Sequence, residues 1–374
     1  MSIIDKIDVQ VPLETETRDA TDIDLEDLTS EDEKNESAPP DYQISTYPAD
    51  YPLEVLYQNW KADEIIIPDF QRRFVWKQTQ ASKLIESFLV GLPVPAVFFY
   101  RERNSQKDLV IDGQQRLKSI FYYFDGFFGP EQEGSRRVFR LTGLSEESIY
   151  NEKTFEDLRD EDKRKLKRAI LRAFIVQQSD PLDDTSMYHI FERLNTGGTM
   201  LTNQEIRNCV YHGNLTKFLQ KINTSSEWRK ILGKNEPDRR GKDIELLVRF
   251  FALRDLSAYN KPMKDFLSRF VKKNKNAPQE MLKEYQNLLD GTCKAIVKSL
   301  GEKPFHIRAG LNAAVFDAVT TAFSKHLDSI PEDINDRYKH LIGDDEFDYC
   351  TRSSTTDVDI VKRRFSQAEQ FLFD

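Results

Sequence analysis

Residues 109–120 read LVIDGQQRLKSI, an apolar run that passes through Asp112-Gly113 straight into a helical pattern. The run DLVID (108–112) is β-rich and predicts a buried strand. Beyond Gly113, the residues Leu117, Ile120, Phe121 and Phe124 recur at helical spacing and predict a helix. Upstream, PAVFFY (95–100) reads as a neighbouring strand, separated from DLVID by the polar turn RERNSQK. Before it, KQTQASKLIESFLVGL places Ala81, Leu84, Ile85, Phe88 and Leu89 on one helical face, ended by Gly91 and Pro93. PLEVLYQNW (52–60) predicts a short helix, followed by a strand at Glu64–Ile67 that stops at Pro68. Downstream, strands are expected at 137–141 and Ala169–Gln177, with the basic stretch DEDKRKLKRA (160–169) between them.

From Asp183 onward nearly every segment has helical periodicity, and Pro and Gly punctuate the joins. The expected fold class is therefore α+β: an α/β domain over 44–180 followed by an all-helical domain over 183–374. Residues 1–43 are expected to be a disordered acidic tail, with order beginning near Tyr47. Residues 1–40 carry 13 acidic against three basic residues, while the whole chain is at −9, so the remaining body is close to neutral. An acidic, weakly hydrophobic tail cannot bury enough surface to fold alone. It could be a solvated appendage, or it could fold back on a basic groove and compete with nucleic acid.

Composition excludes a collagenous or wholly disordered chain, with 39% hydrophobic and 31% charged residues. No apolar run approaches the ~18 residues that cross a bilayer, and no secretory signal is visible, so a cytoplasmic protein without membrane contact is expected. The three cysteines (Cys209, Cys293, Cys350) form no CxxC or zinc pattern and read as reduced thiols. The five histidines form no spacing suited to a metal, so no metal site is expected.

The Asp112–Arg116 turn carries the most chemistry. A strand that ends in Asp-Gly and opens a helix aims backbone N–H groups and the positive helix end at a ligand. Gly113 removes the Cβ that would block a phosphate, and Arg116 can aim a planar fork of donors at it. Asp112 could hold a metal-bound water or cap the helix, and Gln114 or Gln115 could orient an attacking water. The plainer alternative is a turn glycine with solvated polar neighbours. A second cluster, IPDFQRRFVW, sets Gln71, Arg72 and Arg73 in a loop framed by aromatics. A third, FERLNTGGTMLTNQEIRN, carries Arg193 and Asn195 before Gly197-Gly198, then a Thr202/Glu205 capping box. Lys163, Arg164, Lys165, Lys167 and Arg168 form a basic run that reads either as a solvated helix face or as DNA-phosphate contacts. Smaller basic groups occur at Arg239-Arg240-Lys242, Lys272-Lys273-Lys275 and Lys362-Arg363-Arg364.

These clusters, in this order, resemble the N-terminal domain of GmrSD-type modification-dependent restriction enzymes, related to the ParB and sulfiredoxin fold. The matching stretches are IPDFQRRFVW with LIESFLVGLPVP, then LVIDGQQRLKSI, then FERLNTGGTMLTNQEIRN, together covering about 44–212; TTDVDIVKRRF is similar to the closing helix. The resemblance implies that Asp112, Gly113, Gln114, Gln115 and Arg116 bind and hydrolyse a nucleoside triphosphate, with Mg²⁺ as an optional companion. It also implies a part in bacterial defence against foreign DNA. The His-Asn-His nuclease region of two-part family members has no counterpart here, so a separate nuclease subunit is an expected partner. Two further readings stay open. One is a nuclease in its own right, using Asp69, Glu86, Glu102 and Asp112 with a metal. The other is a nucleic-acid or protein-binding module without turnover.

Overall fold

The computed structural model describes Ile23 and residues 43–67, 74–101, 106–132, 135–180, 190, 202–238, 240–308 and 310–374. Seven strands are found among these residues, and all precede residue 181. Strand β1 (Gln43–Pro52) leads into α1 (Leu53–Lys61) and the short β2 (Ile65–Ile66). Helix α2 (Gln78–Val90), β3 (Val97–Arg101), β4 (Asp108–Asp112) and α3 (Gln114–Asp125) follow, then a hairpin of β5 (Phe127–Gln132) and β6 (Ser135–Val138). Helix α4 (Asp160–Arg168) and the long β7 (Ile170–Asp180) complete this part.

The main sheet has the order β1-β7-β3-β4-β2 and is mixed. β2 runs parallel to β4 and β3 parallel to β7, whereas β3–β4 and β1–β7 are antiparallel. Both faces are covered. Val97, Phe99, Val110, Leu171, Ala173 and Ile175 pack with α1, α2 and α3 in one core. Tyr100, Leu109 and Ile111 point the other way and join the core of the later helices. A sheet buried on both sides needs apolar residues at successive positions, which is why DLVID and VFFY are continuous runs.

Only helices follow β7 among the described residues: α5 (Asn203–Val210), α6 (Asn214–Ile222), α7 (Ser226–Leu232), α8 (Lys242–Ala252), α9 (Met263–Lys273), α10 (Gln279–Leu300), α11 (Ala313–Lys325), α12 (Ile334–Gly343), α13 (Asp345–Arg352) and α14 (Val358–Phe373). Their core holds a buried ion network. Arg249 of α8 donates to both oxygens of Asp317 on α11, and Arg364 of α14 reaches the same carboxylate at 3.4 Å. Burying such charges is costly unless each is paired, so loss of any one partner is expected to destabilise the bundle.

The α+β class with a helical C-terminal part is as expected, but several boundaries differ. Strand β1 begins at Gln43, ahead of Tyr47, because it adds an outer strand to β7; its Pro48 and Pro52 are tolerated at a sheet edge. The helix after Gly113 ends at Asp125, where Gly126 at φ +82° caps it, so Phe127 and Phe128 open a hairpin instead of another turn. The strand expected at 137–141 lies at Ser135–Val138.

Candidate functional site

The end of β4 and the start of α3 build the site. Asp112 is the last residue of the strand, and its side chain is 39% exposed. Gly113 has φ +94°, a left-handed conformation that strains any residue with a Cβ. Space forbids one as well: a Cβ there would lie 2.3 Å from Cγ1 of Val97 and 3.1 Å from Nη2 of Arg116. The chain therefore turns as tightly as glycine permits, and α3 begins at once. Its first-turn N–H groups lack partners within the helix and carry the positive end of its dipole.

Arg116 does not extend freely. Its Nη2 donates to Oδ2 of Asp112 at 2.7 Å and to the carbonyl of Ala96 at 3.0 Å. Nε of Arg116 is buried and has no hydrogen-bond partner among the described residues, which leaves a guanidinium donor at the turn to be satisfied by something else. Oε1 of Gln115 accepts from the backbone N–H groups of Val75 and Trp76, at 3.0 and 3.3 Å. Gln115 thus pins the segment leading into α2 against α3. Gln114 is buried at the helix start.

Topology explains why residues 74–77 lie here. β2 and β4 are parallel neighbours, so the chain leaving β2 and the chain leaving β4 emerge at the same end of the sheet. Gln71, Arg72 and Arg73 lie outside the described residues, as do Arg193 and Asn195. The described end of the third cluster is a helix corner: Thr202 and Glu205 form a reciprocal capping box. Arg207 is buried against Gln204, Glu245 and Ser268, so this part of the motif serves packing.

Residues 53–212 match the family model of the GmrSD restriction endonuclease, N-terminal domain. This segment belongs to that family. The GmrSD-type segment runs from α1 through the sheet strands other than β1 and both turn residues, Gly113 and Arg116, and ends just beyond α5. An uncharacterized protein of Methanocaldococcus jannaschii is 32% identical over 83 residues, covering 16% of this chain and 14% of that protein's length.

The basic run lies on α4 of the GmrSD-type segment and is partly spent on ion pairs. Lys163 pairs with Glu156 at 3.0 Å and Lys167 with Glu54 at 2.9 Å, while Arg164, Lys165 and Arg168 are exposed. The C-terminal end of α4 precedes β7, whose start lies at the same sheet end as Asp112. Arg364, one of the smaller basic groups, is fully buried on Asp317 and cannot meet a phosphate. Among the described residues no group of three or more His, Cys, Asp or Glu side chains could hold a metal ion. Of the four carboxylates considered for a nuclease, Asp69 and Glu102 lie outside the described residues, Glu86 accepts from Ser148, and Asp112 is on Arg116. No helix among the described residues is long and apolar enough to cross a membrane.

Sequence reading set Val75 and Trp76 in the second cluster without placing them on Gln115, and missed Ala96 and Val97 as parts of this site. Ala96 and Val97 carry no chemistry in their side chains. The signal for them is topological: β3 is antiparallel to β4, so its start must lie beside the end of β4.

Proposed function

We propose that the Asp112–Arg116 turn binds the phosphates of a nucleoside triphosphate and hydrolyses it. On this reading the chain acts as the sensor or regulatory part of a DNA-directed, restriction-type defence system. The observation that supports it best is the crowding at Gly113. A left-handed glycine with no room for a Cβ, at the start of a 12-residue helix and beside an arginine whose buried Nε has no partner among the described residues, fits phosphate oxygens. Backbone N–H groups of the first turn and the Arg116 guanidinium would neutralise the phosphate charge. In hydrolysis, water adds to the terminal phosphorus, the bond to the bridging oxygen breaks, and that oxygen leaves on the diphosphate. Asp112 fixes Arg116, and Gln115 fixes the flanking loop.

A second reading, phosphate binding without turnover, is favoured by the engagement of Arg116 and Gln115 in contacts of their own. Thermal-shift and phosphate-release measurements with each nucleoside triphosphate, with and without Mg²⁺ and duplex DNA, separate the two. Hydrolysis predicts a raised melting temperature and phosphate release that DNA changes. A shift with no release selects the second reading, and neither signal with any nucleotide removes both.

A further inference from the structure

Ile23 belongs by sequence to the acidic N-terminal stretch, yet it is 1% exposed and packs into the apolar core of the helical part. Both of its backbone polar groups are held. Its N–H donates to Oδ2 of Asp238 at 2.8 Å, and its carbonyl accepts from Nζ of Lys242 at 3.0 Å. Asp238 is itself buried and fixed, because its Oδ1 accepts from the N–H groups of Arg240 and Lys242. One apolar socket combined with a donor and an acceptor for a single residue's backbone is how extended peptides are recognised.

We propose that the cleft formed by Asp238, Lys242 and the apolar residues behind them is a peptide-docking site, and that its occupant is this chain's own segment centred on Ile23. Charge favours that occupant. Ile23 is flanked in sequence by Asp22, Asp24, Glu26 and Asp27, while Arg240 and Lys242 stand at the cleft. An isoleucine in an otherwise acidic stretch has no reason to be buried unless the folded body offers it a socket, where removing its apolar surface from water is favourable. Tethering in cis raises the segment's effective concentration to the millimolar range, so even weak intrinsic affinity keeps the cleft filled.

Amide hydrogen exchange on the full-length chain tests this. The Ile23 amide is expected to exchange at least ~100-fold slower than an unstructured amide, because it is buried on Asp238. Protection is expected to be unchanged by dilution, and to vanish in Ile23→Asp. A glutamate-specific protease should then cut after Glu26 about tenfold faster in Ile23→Asp than in the wild type, since cleavage follows the open population. Exchange of Ile23 at the unstructured rate in the wild-type chain overturns the proposal whether or not the variant folds. Protection that fades on dilution also overturns it, by assigning the cleft to another copy.

Discussion

Arg116 and Asp112 are four residues apart across the strand-to-helix turn, and Nη2 of the arginine sits 2.7 Å from Oδ2 of the aspartate. The same nitrogen also reaches the Ala96 carbonyl, so one edge of the guanidinium is locked to the sheet while Nε has no partner among the described residues. An arginine held this way is pre-oriented and loses little further freedom when it meets an anion. The pair itself is partly exposed and adds little to stability.

Arg116→Lys keeps the charge and loses the planar fork. Nucleotide affinity is expected to fall about tenfold to a hundredfold, as for loss of one or two charge-assisted hydrogen bonds. The melting temperature should change by no more than a surface ion pair would move it. Titration calorimetry alongside a thermal melt checks both halves, and unaltered affinity in the folded variant counts against a phosphate role for Arg116.

Gln115→Ala removes the acceptor for the Val75 and Trp76 amides. Those two amides are expected to exchange faster, with a stability loss of about 1 kcal/mol. Gln115→Glu keeps an acceptor oxygen and should restore their protection. If Gln115 instead orients water directly, Gln115→Glu will abolish turnover while both amides stay protected, and the two roles part there.

Gly113→Ala must pay twice. The left-handed backbone costs about 1 kcal/mol, and the Cβ placed 2.3 Å from Val97 Cγ1 costs a further ~1–3 kcal/mol of overpacking. Val97→Ala on the same chain removes the 2.3 Å contact but leaves the Cβ of residue 97 at 2.9 Å, so it relieves only part of the second cost. Urea unfolding of the two single variants and the double variant should show that partial rescue; strict additivity would place the clash elsewhere.

How much of this could be read from residues alone depends on range. Strand β4 and helix α3 are legible because their apolar period changes from continuous to helical across a single Asp-Gly. Strand β1 is obscured by its prolines and exposed side chains, since its only partner among the described residues, β7, lies more than a hundred residues away. The glycine at 113 is legible as a turn, but the clash with Val97 that makes it obligatory is a contact between strands. Ile23 is the extreme case: its surroundings in sequence describe a solvated tail, and only the distant Asp238 and Lys242 give it a place.

Asp238 carries a pH signature. Burial pushes its carboxyl above the ordinary aspartate value of 3.8, against the opposing pull of the Ile23, Lys242 and Arg240 N–H groups, with Asp243 adding to the rise. A raised folded value means that the folded state holds the proton more tightly than the unfolded chain. The resulting stability is present at low pH and is lost as pH rises through the folded value. Asp238→Asn keeps an acceptor for Ile23 and cannot titrate, so it should gain on the wild type as pH rises from about 4 to about 7. Paired denaturant unfolding across that range measures the difference. A difference that is flat, or that slopes the other way, would contradict the buried carboxyl as its source.

Docking of Ile23 has a consequence for DNA if the chain is DNA-directed. If its acidic sequence neighbours follow Ile23 to Lys242, they compete there with a phosphate backbone. Ile23→Asp releases the anchor but adds one more acidic charge, so any gain in DNA binding must come from uncovering the face rather than from net charge. Affinity for a short duplex, followed by fluorescence anisotropy, is expected to rise about threefold to tenfold at low salt. The gain should shrink as ionic strength passes ~0.1 M, where charges more than ~10 Å apart are screened. Removing the face as well, with Arg240→Ala and Lys242→Ala in the Ile23→Asp chain, should erase the gain. Equal affinities in the wild type and Ile23→Asp, in chains that do bind DNA, would leave the docked segment as a tether with no bearing on DNA. A gain that survives loss of Arg240 and Lys242 would instead move the contact to another basic surface, with the exposed Arg164, Lys165 and Arg168 of α4 the next to be tested.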